Sequence, residues 1–479
     1  MPAEAPRRLL LLALDSLPPS VLERWIEDGS LPNLRRLREE GSYGLVSSDA
    51  DLFPGSVWPT FSSMSDVSEH ANYHLVQWDP ATRRLRPPGD DWCEILPFWR
   101  RLGASGVPTI SLDVPFSEKR AGAPNAIEIS GWGMHEGVWQ RSHPDGMLDD
   151  IRRRHGRSSQ IREGPGERGD AEALSELPGL IDDVGRRAAI IMDMATRLDW
   201  RVFLAVFTET HRTAHWLWGS HWTGEPQGAV KDVARAFDEA LPNLKAILRP
   251  QDVMVVFSLH GMEDGNDTDR LEEASLLYLT PPRSRGLGRR LDPVYLLRRG
   301  LPLGTVRRIA RALPQSLYNW TYYRLQNNHG DWSEADWAVQ PLDHRVYVHS
   351  TLSEPEALES QLAWLDSQFR GLLSANGAPV VDQITYTRQL YQGRRLDLLP
   401  HLVIRPFNRT IGPEVILPDG SRRPAPRHDS RDGQHASGGF FILSREGLSQ
   451  GSAAIAGEDL ASFFAQTVGL DLKAINANR

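Results

Sequence analysis

The sequence predicts an α/β fold built on a mainly parallel sheet, and three observations carry that expectation. First, residues 9–14, 200–207 and 252–258 are predominantly apolar runs rich in Leu, Val and Phe. Such runs suit strands covered on both faces, as parallel sheets require. Second, segments 181–198 and 230–248 between them have a helical apolar period, so strands alternate with helices. Third, each apolar run is followed by groups able to hold a metal or a proton. These are Asp15, the set Glu209, His211 and His215, and His260. In open α/β sheets the carboxyl ends of the strands line the ligand crevice.

Composition narrows the function. The chain has 479 residues and a mildly negative net charge of −8, and none of its Lys/Arg runs suggests nucleic acid, so a nucleic acid polymer is not an expected partner. Its one cysteine, Cys93, excludes an internal disulfide and a zinc–thiolate cluster, and it points to the cytoplasm. Any metal must therefore rest mainly on His, Asp, Glu or hydroxyl ligands. The run from Arg7 to Leu14 is too short for a signal segment, lacks a cleavage site and ends in Asp15, so it reads as a strand. No stretch reaches the roughly 20 apolar residues of a membrane span, and no membrane partner is expected.

The remaining elements follow in order. Pro18, Pro19 and Ser20 open a helix that Gly29 stops, and residues 31–41 form a second helix closed by Gly41. Residues 43–48 are strand-like. A Pro/Gly loop, 51–59, then carries Ser56 toward a short helix from about Thr60, whose start would favour an anion. A helix over 92–103, strands over 107–113 and 126–130, and a polar loop over 153–170 come next. Residues 281–340 break the alternation and read as a cap inserted in a single domain spanning 1–479. Alternation resumes with a helix over 356–373 and strands over 382–391, 401–405 and 438–444, with His435 just before the last.

Taken singly, these polar residues have ordinary explanations. A strand-end Asp is often a helix N-cap, and a loop Ser or His is often a turn former or a solvated side chain. Together they form a set suited to displacement at phosphorus or sulfur, where metal ions lower the pKa of a hydroxyl and neutralise charge on the transferred group. His211 and His215, four apart, share a face if a helical turn holds them.

Their order resembles the alkaline phosphatase superfamily, in its type I phosphodiesterase/nucleotide pyrophosphatase-like branch. The resemblance rests on Ala13–Asp15 with 29–41, on the loop Phe53–Phe61, on Thr208–His215, on Val255–Met262, and on Arg431–His435 with Gly438 and Gly439. It implies an alkaline phosphatase-like three-layer sandwich and a hydrolase of small phosphoesters, with phosphodiester or nucleotide-like substrates favoured. It further implies Ser56 as nucleophile through a covalent phospho-enzyme. One or two divalent ions are implied, zinc first, with manganese, magnesium or calcium as alternatives. One ion would lie on His211, His215 and His435, with Glu209 as a further ligand; the other would lie on Asp15, Ser56 and His260. Apart from the resemblance, Trp58 and Trp218 near the candidate site read either as platforms that stack on a base or ring of the substrate or as core packing.

Two departures from the family pattern stand out. Leu259 occupies the place of a metal-binding Asp and cannot ligate, so the second ion should bind more weakly unless Glu263 or Asp264 turns back. His70-Ala71 stands where the family has His-Gly. The alternatives are a sulfatase-like hydrolase, disfavoured because Ser56–Thr60 lacks the Cys/Ser-x-Pro-x-Arg spacing, and a catalytically weakened member that binds a phosphorylated ligand or a protein.

Overall fold

The computed structural model describes residues 6–88, 95–117, 122–134, 140–159, 170–219, 221–265, 269–279, 335–342, 344–407, 411–425, 432–445 and 454–477, with isolated positions between 301 and 321. Its frame is a nine-stranded sheet. In chain order the strands are β1 (Leu9–Leu14), β2 (Ser42–Ser47), β3 (Thr109–Leu112), β4 (Ala126–Ser130), β5 (Arg141–His143), β6 (Val202–Phe207), β7 (Val253–Ser258), β8 (Gly439–Leu443) and β9 (Ile455–Ala456). Across the sheet the order is β9-β2-β8-β7-β1-β6-β3-β4-β5. The central five, β7 to β4, pair in parallel, whereas β8 runs antiparallel to both neighbours and β5 antiparallel to β4.

The pleat decides how the two faces are filled. In β1, Leu10, Leu12 and Leu14 join one apolar cluster, and Leu9, Leu11 and Ala13 join another on the opposite face. Helices Pro19–Glu27, Pro32–Glu39, Asp170–Arg197 and Gly228–Ala246 cover the first face. Helices Val57–Ser63, Phe98–Ala104 and Gly457–Gln466 cover the second. The result is helix, sheet, helix. All six residues of β1, β6 and β7 are buried, which explains why their sequences are apolar without alternation.

The late part of the chain departs from expectation. Segments 382–391 and 401–405 were expected to extend the α/β alternation. Instead Val381–Tyr386 and Leu402–Pro406 join Trp337–Leu342 and Arg345–Ser350 in a separate, antiparallel four-stranded sheet. This sheet has its own core, to which helix Pro355–Arg370 contributes Leu362, Leu365 and Phe369. A strand–helix–strand sequence looks the same whether the strands end up parallel or antiparallel, so periodicity could not separate the cases. The second sheet is tied to the first through Arg345, which donates to the carbonyls of Asp51 (2.8 Å) and His435 (3.0 Å). Of the expected cap, nearly all of 281–334 lies outside the described residues, and 337–340 belong to strand Trp337–Leu342. Among the described residues no helix is long and apolar enough to cross a membrane.

Ala71 ends helix Val67–His70 in the left-handed region, with φ +55°. A Cβ there is costly, and glycine is the usual residue. Ala71→Gly is expected to stabilise the protein by about 1 kcal/mol, seen as a higher urea midpoint; a lower midpoint would contradict the strain argument. The adjacent His70 is wholly buried. Its Nδ1 accepts the Asn72 N–H (3.0 Å) and its Nε2 faces the Thr60 hydroxyl (3.0 Å), so the ring must be neutral. Burial pushes its pKa down to about 3, against an opposing pull from Asp66. An unfolded His70 takes up a proton below about pH 6.5, and the folded one does not until about 3. Acid therefore favours unfolding, by about 2 kcal/mol between pH 6.5 and 5 from this residue. The fall in urea midpoint over that range should shrink in His70→Gln; an equal fall would show that His70 does not carry it.

Candidate functional site

Asp15, Glu209 and His260 follow β1, β6 and β7, which lie side by side at the centre of the sheet. Parallel pairing puts the three carboxyl ends together. Helix Glu209–Leu217 starts directly after β6, and its turn brings the rings of His211 and His215 to 4.5 Å between centroids. His435 arrives by a different route. A two-stranded antiparallel ribbon, Gly261–Asp264 with Gly433–Ala436, sets Met262 opposite His435 and leaves the His260 and His435 rings 5.1 Å apart. Gly433 is needed there because a Cβ would lie 2.4 Å from the Ala214 carbonyl oxygen.

The histidine protons can be assigned from their partners. The Gly433 carbonyl can only accept, so His215 Nδ1 (3.1 Å) carries the proton and its Nε2 presents a lone pair. By the same logic His211 Nδ1 donates to Asp15 Oδ2 (3.0 Å), and His260 Nδ1 to the Gly261 carbonyl (3.0 Å). His435 Nε2 lies 3.2 Å from His215 Nε2 and 3.4 Å from His211 Nε2. Its Nδ1 is buried and has no hydrogen-bond partner among the described residues. Burial pushes the His435 pKa well down, and the neighbouring His215, His211 and His260 push it further. Burial alone would raise the Asp15 carboxyl, but His211 and His260 outweigh it and hold the pKa well below the ordinary range.

Imidazole lone pairs turned toward one another repel unless a proton or a cation lies between them. A tetrahedral ion with metal–nitrogen bonds of about 2.0–2.1 Å separates its ligand atoms by about 3.3–3.4 Å. The observed separations match that edge. Two overlapping groups have ligand atoms within 4.8 Å of one another: His211, His215 and His435, and Asp15, His211 and His260. The residues present therefore fit a divalent ion.

The other expected site residues divide between those that reach this centre and those that do not. Glu209 does not join the histidines. Its carboxylate pairs with Arg187 (2.7 Å), which also pairs with Asp113 (2.7 Å), and all three side chains are fully buried. Ser56 is fully buried and its hydroxyl donates to the Phe53 carbonyl (2.8 Å); among the described residues no hydrogen bond joins it to Asp15 or the histidines. Trp58 does reach the centre, by donating its indole N–H to Asp15 Oδ1 (3.0 Å). Trp218 is 3% exposed and packs in the core beside Trp216 and Leu217 rather than facing an opening. Leu259 is buried, and Glu263 has not turned back: it accepts from Gln434 (2.9 Å) on the ribbon.

Two features escaped sequence reasoning. Ser16 sits at φ +66°, and its hydroxyl is 2.9 Å from His211 Nδ1. A serine in the left-handed region directly after a strand-end carboxylate has no linear signal beyond its position. Asp113 is the second. Besides Arg187 it accepts the backbone N–H groups of Gly131, Trp132 and Gly133 at 2.7–3.0 Å. Its place at a strand end was visible in the sequence, but its partner on a distant helix was not.

A largely parallel sheet between two helix layers, with ligand-type side chains at its carboxyl edge, defines the alkaline phosphatase-like class of α/β proteins. Solved structures share this fold at low identity. Phosphonoacetate hydrolase from Sinorhizobium meliloti 1021, in complex with phosphonoformate, matches with a TM-score of 0.56 at 12% identity, over 97% of this chain and 96% of that one. Murine ectonucleotide pyrophosphatase/phosphodiesterase 5 matches with 0.51 at 12% over 97% and 96%, and the human protein with 0.53 at 10% over 97% and 95%. Within the class, the chain belongs to the type I phosphodiesterase/nucleotide pyrophosphatase family, whose model matches residues 9–280. That segment contains Asp15, His211, His215 and His260, while His435 lies beyond it. No curated protein sequence matches the chain.

Proposed function

We propose that this chain is a metal-dependent hydrolase of small phosphoesters, with phosphodiester or nucleotide-like substrates preferred over monoesters. The observation that carries the reading is the convergence of the His211, His215 and His435 Nε2 atoms at separations suited to one tetrahedral ion. Zinc is the expected metal, since neutral imidazoles suit it better than magnesium or calcium, which prefer oxygen ligands. When bound, the ion would supply a Lewis acid that offsets negative charge on the phosphoryl group. His215 and His211 are oriented for this by Gly433 and Asp15. The family supports phosphoester chemistry, and the single cysteine suits a reducing, cytoplasmic setting.

Ser56 is the proposed nucleophile, and it can attack only after its hydroxyl leaves the Phe53 carbonyl. That hydrogen bond favours a second reading, direct attack by water without a covalent intermediate. Ser56→Ala separates the two. If Ser56 attacks, turnover of an aryl phosphodiester should fall on the order of 1000-fold or more, with metal content unchanged. Ordinary turnover in the variant would establish the water route. A wild-type protein loaded with zinc or manganese that cleaves no phosphate diester, phosphate monoester or sulfate ester would instead favour a binding role.

A further inference from the structure

Resting on that reading of the site, we propose that the centre takes a single ion, on His211, His215 and His435, and that Asp15 is a positioning residue rather than a ligand to a second ion. The group of Asp15, His211 and His260 looks like a second site only if its members are counted without regard to lone pairs. A neutral imidazole has one lone pair. His211 donates Nδ1–H to Asp15, so its single lone pair is at Nε2 and points toward His215 and His435. It can serve one ion.

Asp15 is engaged on both oxygens. Oδ2 accepts from His211, and Oδ1 accepts the Trp58 indole N–H. An N–H dipole presents its positive end to that oxygen, where a second cation would have to approach. Within this group of described residues His260 Nε2, 3.6 Å from Asp15 Oδ1, is then the remaining donor, and the Ser56 hydroxyl is bonded to the Phe53 carbonyl. Leu259 adds none, Glu263 is bonded to Gln434, and Asp264 is exposed. Charge argues the same way. Asp15 is the one carboxylate in the two ligand groups, and its surroundings are almost dry. Two dications there would leave three positive charges uncompensated, which a buried site does not tolerate. Asp15, His211 and the ion instead make the carboxylate–histidine–metal arrangement that orients a ligand and raises its basicity.

The test is a metal count on the full chain, stripped with chelator and reloaded with zinc or with cobalt(II). One ion per chain is expected, with the intense visible bands of tetrahedral cobalt. Asp15→Asn should keep one ion per chain and bind it about 10–100-fold more weakly. Two ions of similar affinity in the wild type, or none, would overturn the proposal. So would an Asp15→Asn protein that loses a whole ion while the histidine-bound one persists. If the variant fails to fold, the wild-type count and cobalt spectrum decide alone. The count needs no substrate, so it is independent of the hydrolase reading. One tetrahedral ion in a protein that cleaves no ester would remove the proposed function and keep this inference. Two ions in an active protein would do the reverse.

Discussion

Arg187→Met is expected to destabilise the protein by about 3–5 kcal/mol, the range for removing one partner of a buried ion pair. The side chain is fully buried, like both carboxylates it joins. Its Nη1 donates to Asp113, while Nε and Nη2 donate to Glu209. The guanidinium also lies 5.1 Å from the centre of the Trp132 ring. Methionine matches much of the volume but leaves two carboxylates in a dry interior, and they must either stay charged without a cation or take up protons. Asp113 retains three backbone N–H donors, so Glu209 should suffer more. The consequence reaches the site, because Glu209 begins the helix that carries His211 and His215. Arg187→Lys keeps the charge but loses the fork, and it should fall between the two. Urea unfolding checks this. A midpoint for Arg187→Met within error of wild type would show that this buried ion-pair cluster adds no net stability.

His435→Ala is expected to weaken zinc binding by at least about 100-fold and to reduce ester turnover to background, with the sheet intact. Three imidazoles are needed to hold a tetrahedral ion and keep an open position, and two neutral ones bind weakly. The ring makes no hydrogen bond through Nδ1 among the described residues, so removing it breaks little else. Its carbonyl, which accepts from Arg345, belongs to the backbone and survives the substitution. Competition with a chromogenic chelator gives the affinity, and circular dichroism confirms the fold. Unchanged zinc affinity would place the ion somewhere other than these three nitrogens.

The linear sequence by itself determined the centre of the fold. Residues 9–14, 200–207 and 252–258 read as strands buried on both faces, an environment that a covered parallel sheet offers. Strand polarity then required Asp15, the Glu209–His215 segment and His260 to share one edge, and the spacing of His211 and His215 set them on one helical face. These are local facts, encoded by periods of two and 3.6 residues. Tertiary structure decided what no period encodes. Thr208–His215 offered Glu209 as a further ligand beside His211 and His215, but Arg187, reaching in from helix Asp170–Arg197, took Glu209 away. Ser56 was fixed by a turn in which its hydroxyl finds the Phe53 carbonyl, and Trp58 rather than Ser56 meets Asp15. His435 lies 220 residues from His215 and was placed by ribbon pairing with Gly261–Asp264. Strands 381–386 and 402–406 went to a second sheet, because a strand–helix–strand pattern leaves strand direction open. Except at Ser56, whose partner Phe53 is three residues away, a long-range contact chose between options with the same local signal, and burial and hydrogen-bond satisfaction made that choice.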